Sequence, residues 1–130
     1  MNKKIIITAS ILGMLAVITG AFGAHGLKEK LTTAHLEVWQ TAVQYHFYHV
    51  FALLFLSTFA RFKNNMILTS FYFFVFGILL FSGSLYLMSC RDILGLSPSL
   101  VKTLGPITPV GGLLFIMGWL TLAFAALRHK

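Results

Sequence analysis

The chain has 130 residues, of which 58% are hydrophobic and 10% charged, and its mean hydropathy is +0.86. A soluble domain carries about 25% charged residues, so this chain cannot cover a water-facing surface and is predicted to be an integral membrane protein. Its net charge of +7 comes from ten basic and three acidic residues. The basic residues lie at the ends of apolar runs rather than in one patch, which argues against nucleic-acid binding and for contact with anionic lipid.

The first predicted element is an apolar helix over 5–22, preceded by Lys3 and Lys4. A secretory signal also starts with basic residues, but its apolar core covers about 7–15 residues, so a retained membrane span is favoured. Small residues recur along one face of this helix, a pattern that lets another helix approach closely. They are Ala9, Gly13, Ala16 and Gly20.

The second helix is predicted over 39–60, with the polar stretch WQTAVQYHFYH at its start and the apolar stretch VFALLFL after it. Thr32 or Thr33 can begin this helix, since threonine is a favourable N-cap. Polar groups at membrane depth are costly and usually face a bundle interior, a partner or water. The polar half of this helix is therefore the first place to look for a function.

The third helix is predicted over 66–88, after a turn at Asn64-Asn65. The fourth is predicted over 108–127, beginning near Thr108-Pro109 because proline is tolerated in the first turn of a helix. Each run is long enough to cross a bilayer, which takes about 20 apolar residues. The predicted fold is an all-α, integral membrane four-helix bundle that forms a single domain over residues 1–130.

Lysine and arginine placement predicts the orientation, because these residues are enriched in cytoplasmic loops. Four spans place six of them on the side of the termini and four on the other side. The first group is Lys3, Lys4, Arg61, Lys63, Arg128 and Lys130, and the second is Lys28, Lys30, Arg91 and Lys102. The count favours both termini in the cytoplasm.

With four spans, the polar or glycine-rich ends of all four helices meet in the same half of the bilayer. A shared polar pocket or packing cluster is predicted there, with Trp39 and Tyr86 as aromatic anchors near the membrane boundary. The candidate members are His25, Gln44, Tyr45, His46, His49, Ser82, Gly83, Ser84, Tyr86, Thr108, Pro109, Gly111 and Gly112.

Two interpretations of the histidines stay open. His49, with His46 or His25, could ligate haem or a metal ion, or these side chains could form hydrogen bonds between helices. The sequence has no HExxH or CxxCH motif and a single cysteine, Cys90, so no metal or cofactor is expected, with haem as the alternative.

The small residues of the cluster also have two interpretations. Ser82-Gly83-Ser84 and Gly111-Gly112 favour close helix packing, while backbone amides near Thr108 could hold an anion. The sequence contains no Ser/His/Asp arrangement, phosphate loop or pair of carboxylates, so no enzymatic activity is expected.

Several ordered motifs carry a family resemblance: GAFGAH from residue 20, WQTAVQYHFYH from 39, FSGSLY from 81, TPVGG from 108 and GW from 118. Along its whole length the chain resembles the family called domain of unknown function 423, or uncharacterised protein family 0382, to which the animal transmembrane protein 256 looks related. The resemblance implies a bacterial inner (plasma) membrane location and no established activity.

Many cluster residues match the recurring pattern of that family. They are His25, Tyr45, His49, Ser82, Gly83, Ser84, Tyr86, Thr108, Pro109, Gly111, Gly112 and Trp119. His46 matches the animal form, but glutamine is also familiar at this place, which counts against His46 as an obligatory ligand.

The expected function is that of a non-enzymatic accessory or structural protein whose polar pocket in the outer half of the membrane holds a lipid, a quinone-like molecule or a partner helix. One alternative is a haem- or metal-binding redox accessory protein, and another is a small transporter or pore formed by an oligomer. The expected partners are the lipid bilayer and either another membrane protein or further copies of the chain.

Overall fold

The computed structural model describes residues 2–59 and 65–128, and all regular structure within these ranges is helical. The predicted all-α class is confirmed. The elements are α1 (Lys3–His25), α2 (Thr33–Ser57), α3 (Asn65–Gly77), a π turn (Ile78–Ser82), α4 (Gly83–Ser89), α5 (Arg91–Leu94) and α6 (Pro98–Leu127). The predicted end of the second span at Ala60 and the Asn64 part of the predicted turn lie outside the described residues.

Short polar side chains fix the starts of three helices. Asn2, Thr32 and Ser97 each accept a hydrogen bond from the backbone N–H three residues later, at 3.2–3.3 Å. These bonds satisfy donors that the first turn of a helix leaves unpaired. Because Thr32 is the cap, α2 begins at Thr33 rather than at 39.

The predicted start of the last helix near Thr108-Pro109 is wrong. Ser97 caps α6, which begins ten residues earlier at Pro98, and both Pro106 and Pro109 lie inside the helix. Each internal proline removes one backbone hydrogen bond, and the helix continues in spite of this loss. At 30 residues, α6 is longer than the roughly 20 residues that a bilayer requires.

Helices α1 and α2 lie antiparallel and side by side. The backbone N–H of Asn2 donates to the carbonyl of Ser57 at 3.0 Å, and near the opposite ends the indole of Trp39 donates to the carbonyl of Thr19 at 2.9 Å. The small-residue face of α1 lies in this interface. A side chain at Gly13 would lie 3.3 Å from Val50, which shows how closely the two helices approach.

Helix α6 runs antiparallel to the continuous helix formed by α3, the π turn and α4 (Asn65–Ser89). Ser70 donates to the carbonyl of Gly118 at 2.8 Å, and Ser84 and Thr108 share a hydrogen bond of 2.6 Å. Gly118 leaves space for the ring of Phe74. The buried core between the helix pairs includes Ile5, Leu53, Leu56, Phe71, Phe74 and Phe115.

The π turn brings two backbones into direct contact. A side chain at Gly111 of α6 would overlap the backbone of Leu80 and Phe81, so only glycine fits there without a shift. Gly112 has ordinary space, because an added Cβ would lie 3.6 Å from the ring of Phe81. The next glycine of the predicted cluster, Gly83, would meet nothing within 4 Å. Close packing therefore depends on Gly111 alone among these three.

Three helical segments of the described chain are long and apolar enough to cross a membrane: Lys3–His25, Asn65–Ser89 and Pro98–Leu127. Helix α2 is of similar length, but its polar first half keeps it out of this group. Composition therefore supports a membrane protein with three spans. Whether α2 forms a fourth span depends on how it packs against the other helices.

Candidate functional site

A polar network joins α1, α2 and α4 at one end of the bundle. The hydroxyl of Tyr86 lies 3.0 Å from Oγ1 of Thr19 and 2.9 Å from Nδ1 of His46. The ring of Trp39 lies 4.6 Å from that of Tyr86 and is only 7% exposed. Trp39 and the partly buried Tyr86 therefore pack between helices, whereas an aromatic anchor would face the lipid, and the prediction of their depth near the membrane boundary stays a prediction.

His46 is the most deeply placed titratable group of this network, with 4% of its surface exposed. Its Nε2 has no hydrogen-bond partner among the described residues, although the Leu12 carbonyl of α1 lies close to the ring. A buried polar atom without a partner is rare and costs stability. The network is thus satisfied on the Nδ1 side of the imidazole and open on the other.

The two serines of the SGS motif bond in different directions. Ser82 is fully buried and donates to the carbonyl of Ala42 on α2 at 2.8 Å. Ser84 bonds to Thr108 on α6. The π turn lies directly before Gly83 and rotates the segment that follows it. This rotation allows Ser82 to bond to α2 and Ser84 to bond to α6.

An aromatic cleft of about 510 Å³ lies against an adjoining face of α2, bounded by α2, the π turn and α6. Its ring-bearing residues are Tyr45, His49, Phe81, Phe115 and Trp119, and the rest of its lining consists of Pro109, Gly112, Leu113 and Ile116. From 109 to 119 the cleft follows α6 for about 15 Å, at 1.5 Å per residue. A volume of this size is typical of a small-molecule site.

His49 forms the rigid floor of the aromatic cleft. Its ring stacks on that of Phe115, with 3.6 Å between centroids and 7° between planes. The indole of Trp119 can only donate, so Nε2 of His49 accepts at 3.1 Å, and the proton on Nδ1 goes to the carbonyl of Tyr45 at 2.7 Å. Both nitrogens are therefore engaged, and ligation of haem or a metal by His49 would require loss of one of these bonds.

Tyr45 is the exception among the polar residues of the cleft. It is 40% exposed, and its hydroxyl makes no hydrogen bond within the described residues. Its ring packs on Phe81 at 4.8 Å between centroids. Because Tyr45 is this exposed, its hydroxyl is available as a donor and acceptor to a molecule beside the cleft.

Gln44 lies apart from the aromatic cleft. It lines a smaller cleft of about 210 Å³ between α1 and α2, together with Gln40, Trp39 and the small residues Gly20 and Gly23. His25 is exposed at the last residue of α1 and joins neither cleft. Within the described residues, no three His, Cys, Asp or Glu side chains come together as a metal site.

The structure therefore does not bring the whole predicted cluster together at one site. His46 and Tyr86 belong to the buried network, while Tyr45, His49, Pro109 and Gly112 belong to the aromatic cleft. The sequence analysis missed Thr19 and the rings of Phe81 and Phe115 as members. Phenylalanine is common throughout this chain, with 13 residues, so nothing in the sequence distinguishes these two.

A contact outside the buried network and the aromatic cleft joins the α5 region to α2. Arg91 donates from its guanidinium to Nε2 of His35 at 3.0 Å, and Nδ1 of His35 lies 3.5 Å from the carboxylate of Asp92. Because arginine cannot accept a hydrogen bond, this arrangement requires a neutral His35 with its proton on Nδ1.

Comparison with known proteins agrees with the resemblance noted in the sequence. A sequence model described as "Protein of unknown function (DUF423)" matches residues 19–112. A UPF0382 membrane protein of Staphylococcus epidermidis is 40% identical over 126 residues, which cover 97% of both chains. The UPF0382 membrane protein YwdK of Bacillus subtilis is 40% identical over 129 residues, or 98% of both chains. No solved structure matches the chain. The chain belongs to the DUF423 family of membrane proteins, also called UPF0382.

Proposed function

We propose that this protein is a non-enzymatic accessory protein of the bacterial inner membrane that holds a neutral, membrane-dissolved molecule in the aromatic cleft. The observation that carries this proposal is the cleft itself, about 510 Å³ in volume and lined by ring-bearing and apolar residues. Trp119 and Ile116 are 48% and 57% exposed, so the cleft opens on the lateral surface of the bundle. A molecule dissolved in the bilayer could enter from that side.

The proposal includes four spans, and the support for the fourth is the position of α2. This helix is hydrogen bonded to α1 near both ends, from Asn2 with Ser57 to Thr19 with Trp39. Because α1 is apolar enough to span, a helix that follows it over this length lies at the same membrane depths. The polar half of α2 is covered by α1 and α4 through the Thr19–Tyr86–His46 bonds, which lowers the cost of burying it in a bilayer.

The proposed orientation places both termini in the cytoplasm. The start of α1 lies beside the end of α2, through the bond from Asn2 to Ser57. Lys4 also donates to the hydroxyl of Tyr72 in α3, at 2.8 Å. These contacts place Asn2 and Lys4 beside the end of α2 and beside α3, and the excess of Lys and Arg that the sequence puts on this side supports a cytoplasmic location.

Binding without catalysis is proposed because both nitrogens of the cleft histidine are already hydrogen bonded within the protein. His49, the candidate ligand for haem, is bonded through both nitrogens to Trp119 and Tyr45. These bonds fit a rigid wall better than a reactive or metal-ligating group. The alternatives are a partner helix that occupies the cleft and a pore formed by several copies of the chain. The following experiment distinguishes them from a bound small molecule.

The test is native mass spectrometry of the protein extracted in a mild detergent, with an absorption spectrum of the same sample. The parent chain is compared with the variant Gly112→Leu, whose larger side chain would fill the cleft. An added Cβ at this position makes only ordinary contact, so the variant should still fold. A retained small molecule that the variant loses supports the proposal. A Soret band would instead identify haem, and a bare chain or a stable oligomer in both samples would overturn the proposed ligand.

A further inference from the structure

The aromatic cleft carries no charge. None of its nine lining residues is an Asp, Glu, Lys or Arg. Placing a phosphate or carboxylate group among these side chains would remove its hydration without supplying a counter-ion, which is strongly unfavourable. The occupant that fits this lining is therefore neutral, and the charged head group of a phospholipid does not belong inside the cleft.

The arrangement of the rings favours a flat occupant. Phe81 and Phe115 lie 5.5 Å apart and tilted by 58°, and Tyr45 lies 4.8 Å from Phe81. Tilted and offset rings at these separations stabilise one another beyond the area they bury. A planar ring can join such a set by stacking or by edge contact, whereas a saturated chain gains only from burial of its surface.

The lining has one uncommitted side-chain donor. The N–H of Trp119 and the Nδ1 proton of His49 are already used in hydrogen bonds. The Tyr45 hydroxyl makes no hydrogen bond within the described residues. An occupant with a single ring carbonyl in reach would satisfy this group and would be held in one orientation.

We propose that the aromatic cleft binds the ring of an isoprenoid quinone, with the Tyr45 hydroxyl donating to a ring carbonyl and the tail leaving through the lateral opening. This inference rests on the proposed ligand-binding function and narrows it to one class of ligand. The cleft follows α6 for about 15 Å, which is longer than the ring itself and leaves room for the first part of a tail. No transfer of electrons is part of the inference.

The test uses the full chain in phosphatidylcholine nanodiscs and ubiquinone-1, a benzoquinone with one isoprene unit. Quinones quench tryptophan fluorescence on contact, so Trp119 reports binding, and Trp119→Phe identifies its share of the signal. Tyr45→Phe removes only the hydroxyl. Tyr48→Phe is the matched control, since Tyr48 is 54% exposed on the same helix and does not line the cleft.

The expected result is saturable quenching whose Kd rises roughly three- to tenfold in Tyr45→Phe, the loss of one hydrogen bond, and stays unchanged in Tyr48→Phe. Equal Kd values in both variants, or quenching that never saturates, would overturn the quinone assignment. The proposed function is judged separately by Gly112→Leu. If that variant loses another neutral lipid seen by mass spectrometry, the ligand cleft stands and only the quinone fails. If it changes neither measurement, both proposals fail.

Discussion

Trp119 of α6 donates its indole N–H to Nε2 of His49 on α2, at 3.1 Å, and this bond crosses the floor of the aromatic cleft. Trp119→Phe keeps most of the ring area but leaves a buried acceptor without a donor. We expect the free energy of unfolding to fall by about 1–3 kcal/mol, measured by denaturation in detergent micelles. Leu120→Ala, at a neighbouring position that is 47% exposed, is the control. Equal losses in the two variants would show that the bond contributes nothing specific.

The adjacent glycines of α6 should respond differently to the same change. Gly111→Ala would drive a methyl group into the backbone of Phe81, and overpacking of this kind costs about 1–3 kcal/mol. Gly112→Ala meets only the Phe81 ring at 3.6 Å and should be neutral or up to about 1 kcal/mol stabilising, because alanine favours helix. Thermal unfolding in detergent compares them, and a tolerated Gly111→Ala would contradict the close approach of α6 to the π turn.

The hydroxyl of Tyr86 should contribute more to the free energy of unfolding than the hydroxyl of Tyr72 does. Tyr86→Phe removes the bridge between Thr19 and the buried His46, for an expected loss of about 1–3 kcal/mol. Tyr72→Phe removes an exposed bond to Lys4 and should cost under about 1 kcal/mol. The two melting curves provide the comparison. A larger loss in Tyr72→Phe would mean that the network contributes little.

Loss of the contact between Arg91 and His35 should increase opening of the backbone in the connection that precedes α6. Arg91→Ala should raise hydrogen–deuterium exchange of the backbone over residues 90–97, because the guanidinium bond to α2 is lost. Asp92→Asn should change it less, since that side chain is 74% exposed and its carboxylate lies 3.5 Å from the imidazole, a distance too long for a strong hydrogen bond. The prediction fails if both variants exchange as the parent chain does.

Four spans with cytoplasmic termini predict opposite labelling of two exposed positions, Thr58 after α2 and Ser99 at the start of α6. In a Cys90→Ala background, a membrane-impermeant maleimide should label Ser99→Cys on intact cells and Thr58→Cys only after permeabilisation. With the N-terminus in the cytoplasm, an α2 that did not cross the bilayer would reverse the pattern, so Asn2→Cys is labelled in parallel to fix the side of the N-terminus.

Apolar run length and N-cap chemistry account for the helices that the sequence predicts, as at Thr32 and α2. The different surroundings of His46 and His49 could not be predicted in this way. Three residues apart, they are neighbours on one helix, but two adjoining faces of α2 pack against different helices. The small rotation between the two positions therefore places one against α1 and α4 and the other against α3 and α6. Which helix lies beside each histidine depends on contacts far apart in sequence.

The π turn was missed for a related reason. A π turn closes its hydrogen bonds over one residue more than an α-helix does, and the stretch ILLFS at 78–82 is an ordinary apolar run. Its stabilising contact is Gly111, some 30 residues further on. Local propensity favours an uninterrupted helix at this point, and only packing against α6 selects the wider turn.

That wider turn fixes the phase of the segment that follows it. Because it spreads its rotation over an extra residue, the segment after it is rotated by about 100° relative to an unbroken α-helix of the same number of residues. If 78–82 closed as an ordinary α-helix with no residue removed, Ser84 would turn away from Thr108 and Tyr86 away from His46 in a single step. Deleting one residue from 78–82 would instead give a plain α-helix that keeps this phase, so length and helix type at this point can only change together.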